Sequence, residues 1–368
     1  MDKYKTLLQQ SRYRFLKNKL STAFVTVGVL FWGTLAIPQS VTAIPQSVQI
    51  TSPEKSAPTI THTGNTSTAT THTSPTQAAS NYSDSDSEQI NRKAFGETLS
   101  AGNYHTVGLK QDGTVIATGW CISGACDVND WTDIVAVSSG GFHTVGLKQD
   151  GSVVAIGDNN YGQCYVNDWT DIVQISASCQ CTVGLKSDGT IVSTGYKYDD
   201  LNGWNNIVAI SSGESYLVGL KQDGTVVATG DNSYGQCNVS DWTDIIAVST
   251  EIYHTVGLKS DGTVVATGDT TEGECDVSDW TDIVAISAGL EYTIGLKADG
   301  TVVATGKNNH GQCNINRWTD IVAISTGWYH TVGLKADGTA VAVGRTDDGQ
   351  CYLRDWTDIK LPIEPIEP

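Results

Sequence analysis

The chain has 368 residues, of which 38 are glycine and 39% are hydrophobic, a composition typical of a turn-rich, β-leaning globular protein rather than a helical or disordered one. The formal net charge of −18 is concentrated after residue 93, where 13 Lys and Arg stand against 35 Asp and Glu. A surface this acidic repels phosphate backbones, so nucleic acid is excluded as an expected partner.

Residues 1–43 have the features of an export segment. A basic region is followed by the apolar run from Ala23 to Ile37, and Ala43 ends a group of small residues suited to signal peptidase. Because the apolar run is short for a spanning helix, we expect a cleaved signal peptide and a secreted or cell-envelope protein. A retained N-terminal anchor is the alternative, and it would be the protein's one link to a membrane.

Residues 44–93 are rich in Ser, Thr, Pro and His and contain few large apolar side chains. Such a segment cannot offset its ordering entropy by burial, which predicts a disordered linker. The acidic stretch at 83–88 lacks the glycine of a calcium loop, so we interpret it as a solvated run of charge.

From residue 94 to residue 368 the sequence repeats seven times. The glycine of a Val-Gly-Leu-Lys-like segment recurs at Gly108, Gly146, Gly184, Gly219, Gly257, Gly295 and Gly333. A tryptophan recurs in step with it, at Trp131, Trp169, Trp204, Trp242, Trp280, Trp318 and Trp356. The spacing is 38 residues except for one unit of 35, so one unit is three residues short.

Each unit predicts a four-stranded antiparallel meander. In residues 245–280 three strand signals are clear, and a shorter fourth one is expected near Cys275. Asp261-Gly262 between the second and third strands predicts a type I′ hairpin turn. Seven such meanders must stack to bury their faces, which predicts an all-β, seven-bladed propeller whose ends, near Leu99 and Trp356, meet. The glycines inside strands indicate that another backbone passes close by.

Two segments, Gly230–Cys237 and Gly327–Leu334, resemble the G-x-N-x-x-G-Q and G-x-x-H-x-x-x-L signatures of the regulator-of-chromosome-condensation (RCC1) repeat family. The resemblance covers about residues 95–360 and implies a propeller. Eukaryotic members of the family carry a tryptophan before the glycine that ends the third strand, and the units here do not. The units also have no room for the inserted wedge that the family's GTPase exchange factor uses, so nucleotide exchange on a GTPase is not expected. The short form is similar to the bacterial β-lactamase inhibitor protein II, which implies binding of a target by loops on one face.

In a meander the first-to-second and third-to-fourth loops lie at one end of the unit, and here they vary while the Asp-Gly end is nearly constant. Aromatic side chains among polar ones are typical of a protein-binding surface. The predicted partner-binding residues are Tyr104, Trp120, Phe142, Tyr161, Tyr196, Tyr198, Tyr234, Tyr253, Tyr292, His310, Trp328, Tyr329 and Arg345.

The remaining repeated residues are interpreted as scaffold. The tryptophans are expected to pack between units. Four histidines share a position that also accepts Tyr, so no metal site is expected there. Six cysteines share another position, too far apart for disulfides between units; they are expected to be small buried groups, whereas Cys121 with Cys126, or Cys179 with Cys181, are candidate pairs. The equivalent positions are His105, His143, His254 and His330 for histidine, and Cys126, Cys164, Cys237, Cys275, Cys313 and Cys351 for cysteine.

No catalytic motif is present, and carboxylates that recur in every unit are more typical of scaffold than of general acids. The sequence therefore predicts a non-enzymatic, monomeric, exported module without a cofactor that binds another protein. A carbohydrate-binding propeller and a structural cell-surface protein are the alternatives. The identity of the partner, and any enzyme that the chain inhibits, stay open.

Overall fold

A computed structural model describes residues 97–196, 198, 201 and 203–362. The predicted export segment and linker, residues 1–43 and 44–93, lie outside these residues. Within the described part, no helix combines the length and the apolar character that crossing a membrane requires.

The described chain folds into seven antiparallel sheets of three strands each, which we call units one to seven in chain order. One short 3-10 helix, Ile122–Gly124, follows the third strand. The strands are β1 (Leu99–Ala101), β2 (His105–Leu109) and β3 (Val115–Gly119); β4 (Ile134–Ser139), β5 (His143–Lys148) and β6 (Val153–Gly157); β7 (Ile172–Ala177), β8 (Cys181–Lys186) and β9 (Ile191–Gly195); β10 (Ile207–Ser212), β11 (Tyr216–Lys221) and β12 (Val226–Gly230); β13 (Ile245–Thr250), β14 (His254–Lys259) and β15 (Val264–Gly268); β16 (Ile283–Gly289), β17 (Tyr292–Lys297) and β18 (Val302–Gly306); β19 (Ile321–Thr326), β20 (His330–Lys335) and β21 (Ala340–Gly344).

The predicted fourth strand is a pair of turns instead. In unit one the amide of Val128 donates to the carbonyl of Cys126 at 2.8 Å, and that of Trp131 donates to the carbonyl of Val128 at 3.0 Å. Units two, four, five, six and seven repeat both bonds, for example between Val277 and Cys275, and in unit three the amide of Trp204 donates to the carbonyl of Leu201. Because the backbone groups are satisfied within the segment, they do not join the ladder of the neighbouring strand.

The hairpin at each Asp-Gly pair is confirmed, but its predicted turn type is wrong. Gly151 has a φ of +82°, whereas Asp150 is not in the positive-φ region. The amide of Gly151 donates to the carbonyl of Lys148 at 3.0 Å, and that of Lys148 to the carbonyl of Ser152 at 2.9 Å. This is a type I turn followed by a left-handed glycine that forms a bulge. Asp150 stabilises it by accepting from the Ser152 amide and hydroxyl at 2.9 and 2.6 Å.

The first strands of the seven units line the centre of a closed ring. Each contacts the first strand of the next unit, and β19 contacts β1. Serine hydroxyls join them: Ser139 N donates to Ser100 Oγ at 2.9 Å, and Ala101 N donates to Ser325 Oγ at 3.0 Å, which links the seventh unit to the first. The fold is therefore a seven-bladed β-propeller, as predicted.

The two ends of the ring meet in unit one. In unit two Ile134 pairs with Lys148 at the start of the first strand. In unit one this start of the first strand comes from the far end of the chain. Ile359 pairs with Lys110, and the amide of Lys360 donates to the carbonyl of Leu109 at 2.8 Å. The first strand of unit one is thus built from both ends, which confirms the predicted closure.

The tryptophan ring packs between units and explains the glycines inside the second strands. A Cβ placed on Gly146 would lie 2.8 Å from the ring of Trp131, and one on Gly108 would lie 2.7 Å from that of Trp356. Trp131 packs against a cluster that includes Val107 of unit one and Ile134 of unit two. The predicted packing role is confirmed. The neighbour that excludes a side chain from the glycine is the indole, not a backbone as predicted.

Buried histidines add a second link between units. His105 Nε2 lies 2.9 Å from the hydroxyl of Thr144 in the next unit, and His330 makes the same contact with Thr106 across the seam. Each threonine hydroxyl donates to a carbonyl, so it accepts from an Nε2–H of a neutral imidazole. Burial lowers the pKa of His105 to about 4 and that of His330 to about 3.

Candidate partner-binding surface

One end of the propeller carries both variable loops of every unit. A backbone hydrogen bond joins the two loops in each case; in unit one the amide of Trp120 donates to the carbonyl of Tyr104 at 2.9 Å. The equivalent donors and acceptors are Asp158 and Phe142, Tyr196 and Gln180, Asp231 and Ser215, Asp269 and Tyr253, Lys307 and Glu291, and Arg345 and Tyr329. We call this end the loop face.

Aromatic side chains from units one, two and seven converge on the loop face. The ring of Tyr104 stacks on Phe142 at 5.2 Å between centroids, and it meets Trp120 edge-on at 5.4 Å and Trp328 at 5.7 Å. Such offset and edge-to-face pairs stabilise one another beyond the area that they bury. Trp120 nevertheless keeps 48% of its surface exposed, so the group presents apolar area to solvent.

Units six and seven extend this group with polar aromatic and cationic side chains. Tyr329 lies 6.1 Å from Trp328 and 4.9 Å from His310, and the guanidinium carbon of Arg345 lies 5.8 Å from the Tyr329 ring centre. We call the seven residues Tyr104, Trp120, Phe142, His310, Trp328, Tyr329 and Arg345 the aromatic sector. They are a majority of the residues predicted from the sequence, brought together by ring closure.

Four other predicted residues lie outside the aromatic sector. Tyr234 and Tyr253 form a separate pair with centroids 4.9 Å apart. Tyr161 is 58% exposed and Tyr196 is 45% exposed. These side chains are accessible but do not belong to the continuous group.

Two predicted residues, Tyr198 and Tyr292, are buried and drop out of the surface. Tyr292 occupies the histidine position of unit six and donates its hydroxyl to the carbonyl of His330 at 2.7 Å. Tyr198 reaches into the same position of unit three, where its hydroxyl lies 2.7 Å from the Sγ of Cys181. Cysteine is too small to fill that position alone, so Tyr198 completes the packing.

Sequence reasoning missed the group at the axis of the loop face. The indole Nε1 of Trp328 in unit seven donates to Glu251 Oε1 of unit five at 3.0 Å, although unit six lies between them along the ring. Asn103 Nδ2 lies 3.0 Å from Cys179 Sγ in the same way. Burial, with the nearby charge of Glu214, raises the pKa of Glu251 to about 8. The sequence did contain a signal for Glu251, because this residue stands at a repeat position where five other units have glycine.

Two described cations of the loop face, Lys307 and Arg345, are paired with carboxylates. Lys307 forms an ion pair with Glu291. Arg345 pairs with Asp347 at 3.3 Å and with Asp348 at 3.5 Å. These pairs hold the two basic side chains beside the aromatic sector.

Sulfur chemistry is limited to one bond within the described residues. Cys121 and Cys126 form a disulfide directly after Trp120, whereas Cys179 and Cys181 are free. The thiols of the repeated cysteine position are half-buried; that of Cys164 lies 3.3 Å from the carbonyl oxygen of Asp158. In the part of the chain that the structure describes, no group of three or more His, Cys, Asp or Glu side chains is arranged to hold a metal ion.

Solved structures with the same fold come from plants and yeast. The ectodomain of the receptor kinase CR4 from Physcomitrella patens has a TM-score of 0.58 at 18% identity, over 67% of this chain and 72% of that one. The CRINKLY WD40 ectodomain of ACR4 from Arabidopsis thaliana has a TM-score of 0.57 at 19% identity, over 69% and 96%. Prp20p from Saccharomyces cerevisiae has a TM-score of 0.51 at 14% identity, over 68% and 82%.

No curated protein sequence matches the chain. The family model for the regulator of chromosome condensation (RCC1) repeat matches residues 134–163, 207–236, 283–312 and 321–350. These stretches fall in units two, four, six and seven and include the first three strands of each. The chain therefore contains four stretches that match the RCC1 repeat, within a ring of seven like units.

Proposed function

We propose that this protein is an exported binding module that holds a protein partner on its loop face, centred on the aromatic sector. The observation that carries the proposal is the convergence of aromatic side chains from units one, two, six and seven, with Trp120 at 48% exposure. Exposed aromatic clusters with a polar rim are typical of binding hot spots. Prp20p of yeast, which has the same fold, binds Gsp1p and histones, and this supports a role of the fold in binding proteins.

Rigidity of the surface supports the same proposal. Trp328 is held by Glu251 from across the axis, and Arg345 is held by two aspartates. Side chains that are fixed before binding lose little conformational entropy in the complex. The aromatic sector is therefore suited to a specific partner.

Export is supported by the basic and apolar character of residues 1–43 and by one structural feature. Cys121 and Cys126 form a disulfide, and disulfides persist in oxidising compartments. Mass spectrometry of the protein from the culture medium and cell envelope tests this: we expect a chain that begins at Ile44. A full-length chain confined to the cytosol would contradict export.

The test of partner binding is a pull-down from extracellular and envelope proteins with the full chain as bait. A Trp120→Ala/Tyr329→Ala variant removes two parts of the aromatic sector, whereas Tyr165→Ala removes a tyrosine that is 69% exposed and outside it. We expect a partner that is retained by the parent and by the Tyr165 variant and is lost, by at least tenfold in affinity, with the double variant. Equal binding of the same partner to all three baits would contradict the proposed site.

A carbohydrate site on the tryptophan ring is not favoured. Trp318 and Trp356 are buried, at 9% and 4% exposure, and the other ring members pack over the glycines of the second strands. A sugar would have to displace packing that holds the units together.

A further inference from the structure

An Asp–Gln pair closes the third loop of units two and four. In unit two Gln163 Nε2 donates to Asp158 Oδ2 at 3.0 Å, while its Oε1 accepts from the amide of Tyr161 at 3.0 Å. In unit four Gln236 donates to Asp231 Oδ2 at 3.1 Å in the same way. One buried amide thus satisfies both the backbone and the carboxylate.

Unit five has Glu274 where units two and four have glutamine, and Asp269 where they have Asp158 and Asp231. Glu274 Oε2 accepts from the amide of Glu272 at 3.0 Å, so this oxygen repeats the role of the glutamine oxygen. Glu274 is fully buried, and its Oε1 has no hydrogen-bond partner among the described residues. An oxygen atom therefore takes the place of the amide nitrogen that donates to the aspartate.

Of the two carboxyl groups in this pair, that of Asp269 ionises more easily. Its Oδ1 accepts from the hydroxyl of Thr271 at 2.5 Å and from the amide of Thr271 at 3.1 Å, and these bonds lower the pKa of Asp269. The pKa of Glu274 is raised, first by burial and also by the charges of Asp269 and Glu291. A single proton in this pair belongs on Glu274.

Among the described residues, no side chain donates to Glu274 Oε1, and the nearby lysine, Lys307, is paired with Glu291. Glu272 and Asp276 on the same loop are acidic, and burial raises the pKa of the Cys275 thiol to about 12. From neighbouring strands and loops come Glu291, which holds Lys307, and His254, whose pKa burial lowers to about 4. Two ionised carboxylates at this place would repel each other without compensation.

We propose that Asp269 and Glu274 share one proton, carried by Glu274, and that loss of this proton loosens the unit-five loop at the loop face. When protonated, Glu274 Oε1–H replaces the glutamine N–H and donates to Asp269. When it is ionised, the loop has two facing anions and no donor. The amide of Asp269 donates to the carbonyl of Tyr253, whose ring centre lies 4.9 Å from that of Tyr234, so the change reaches the loop face. This inference concerns the chain itself and does not depend on the proposed function.

The direction of the pH effect follows from the raised pKa. Between the ordinary glutamate value and the higher folded value, the folded chain binds more protons than the unfolded one. This contribution to stability is present at low pH and is lost as the pH rises through the folded pKa of Glu274. Glu274→Gln has no proton to lose, so its advantage over the parent grows with pH.

The experiment uses the full chain with 13C-labelled glutamate carboxyl groups and follows their NMR titration. We expect one resonance that titrates well above the ordinary value and disappears in Glu274→Gln. Asp269→Asn tests whether the aspartate, and not burial alone, raises the pKa of Glu274. If the introduced asparagine faces Glu274, its amide donates to the Glu274 carboxylate and lowers that pKa. Gln163→Glu builds the same pair with Asp158 in unit two and is expected to add a second raised titration.

Thermal unfolding gives the second readout. We expect Glu274→Gln to melt roughly 2–4 °C above the parent at mildly alkaline pH and at the same temperature in mild acid. An ordinary pKa for Glu274, or a raised pKa that is unchanged in Asp269→Asn, would overturn the proposal. So would a calcium-induced stabilisation in alkali that Glu274→Gln abolishes, because the pair would then hold a metal ion in place of the proton.

Discussion

At the scale of single residues, one buried position in each unit supplies part of the joint to the next unit. It holds His105, His143, His254 and His330 in four units, and in each the Nε2–H bonds a threonine of the next unit. The imidazoles have no exposed surface, and their Nδ1 atoms lack partners among the described residues. A protonated ring would bury an uncompensated charge, so these residues function as neutral hydrogen-bond donors.

The histidines predict a loss of stability in acid. Burial lowers their pKa values to about 3 or 4, as for His143 at about 3, whereas the unfolded chain takes up protons near 6.5. The folded state is therefore fully stabilised above 6.5 and loses on the order of 1 kcal/mol per histidine for each pH unit below it. His143→Tyr adopts the residue of units four and six and is expected to reduce the slope of stability against pH. Urea unfolding at several pH values measures it; an unchanged slope would show that His143 does not contribute.

Sequence spacing identified these repeated residues because each unit is a copy of the next. It did not identify Tyr198 as buried, since that side chain fills a gap left by Cys181 in the one unit with a different length. Nor did it find the contact of Trp328 with Glu251, which joins residues 77 positions apart. Contacts that depend on the ring being closed leave no periodic trace in the sequence.

At the scale of elements, the strands and hairpins follow directly from the pattern of the sequence. The three strands of each unit lie where the strand signals of the repeat predicted them, and Asp-Gly marks each hairpin. The turn type differed because the loop has one residue more than a type I′ hairpin. The fourth strand was overpredicted because an apolar residue between turn residues, such as Val128, has the pattern of a short strand but makes only local bonds.

The turn geometry predicts which substitutions the hairpin tolerates. Gly151 has a φ of +82°, in the left-handed region that is costly for branched side chains. Gly151→Val is expected to destabilise the protein by about 1–2 kcal/mol, and Gly151→Asn by less, because asparagine enters this region more easily. Chemical denaturation of both variants gives the comparison. Equal losses would show that contacts, rather than backbone conformation, set the cost at this position.

At the scale of the whole molecule, the seam decides whether the ring is closed. Trp356 packs over Gly108, and the Ile359 segment completes the sheet of unit one. The other joints are made within a continuous chain, whereas this one depends on residues brought from the far end. The predicted architecture required such a meeting, since seven open units would leave the faces of the first and last sheets exposed.

Shortening the chain tests the seam. A chain that ends at Asp355 lacks Trp356 and Ile359, and we expect it to lose several kcal/mol of stability and to become sensitive to proteolysis in unit one. A chain that ends at Pro362 keeps both residues and is the control. The measurements are the melting temperature and the first sites of limited proteolysis. A melting temperature equal to that of the control would mean that the ring is stable without this joint.

The shared first strand of unit one also sets the order of events during synthesis. Leu99 to Ala101 emerge early, but the residues that complete their strand follow unit seven and emerge only after it. The growing polypeptide therefore carries an unfinished sheet in unit one until the Ile359 segment has been made. Native closure is a late event in the life of each molecule, and a chain released too soon has an edge open to pairing with another copy.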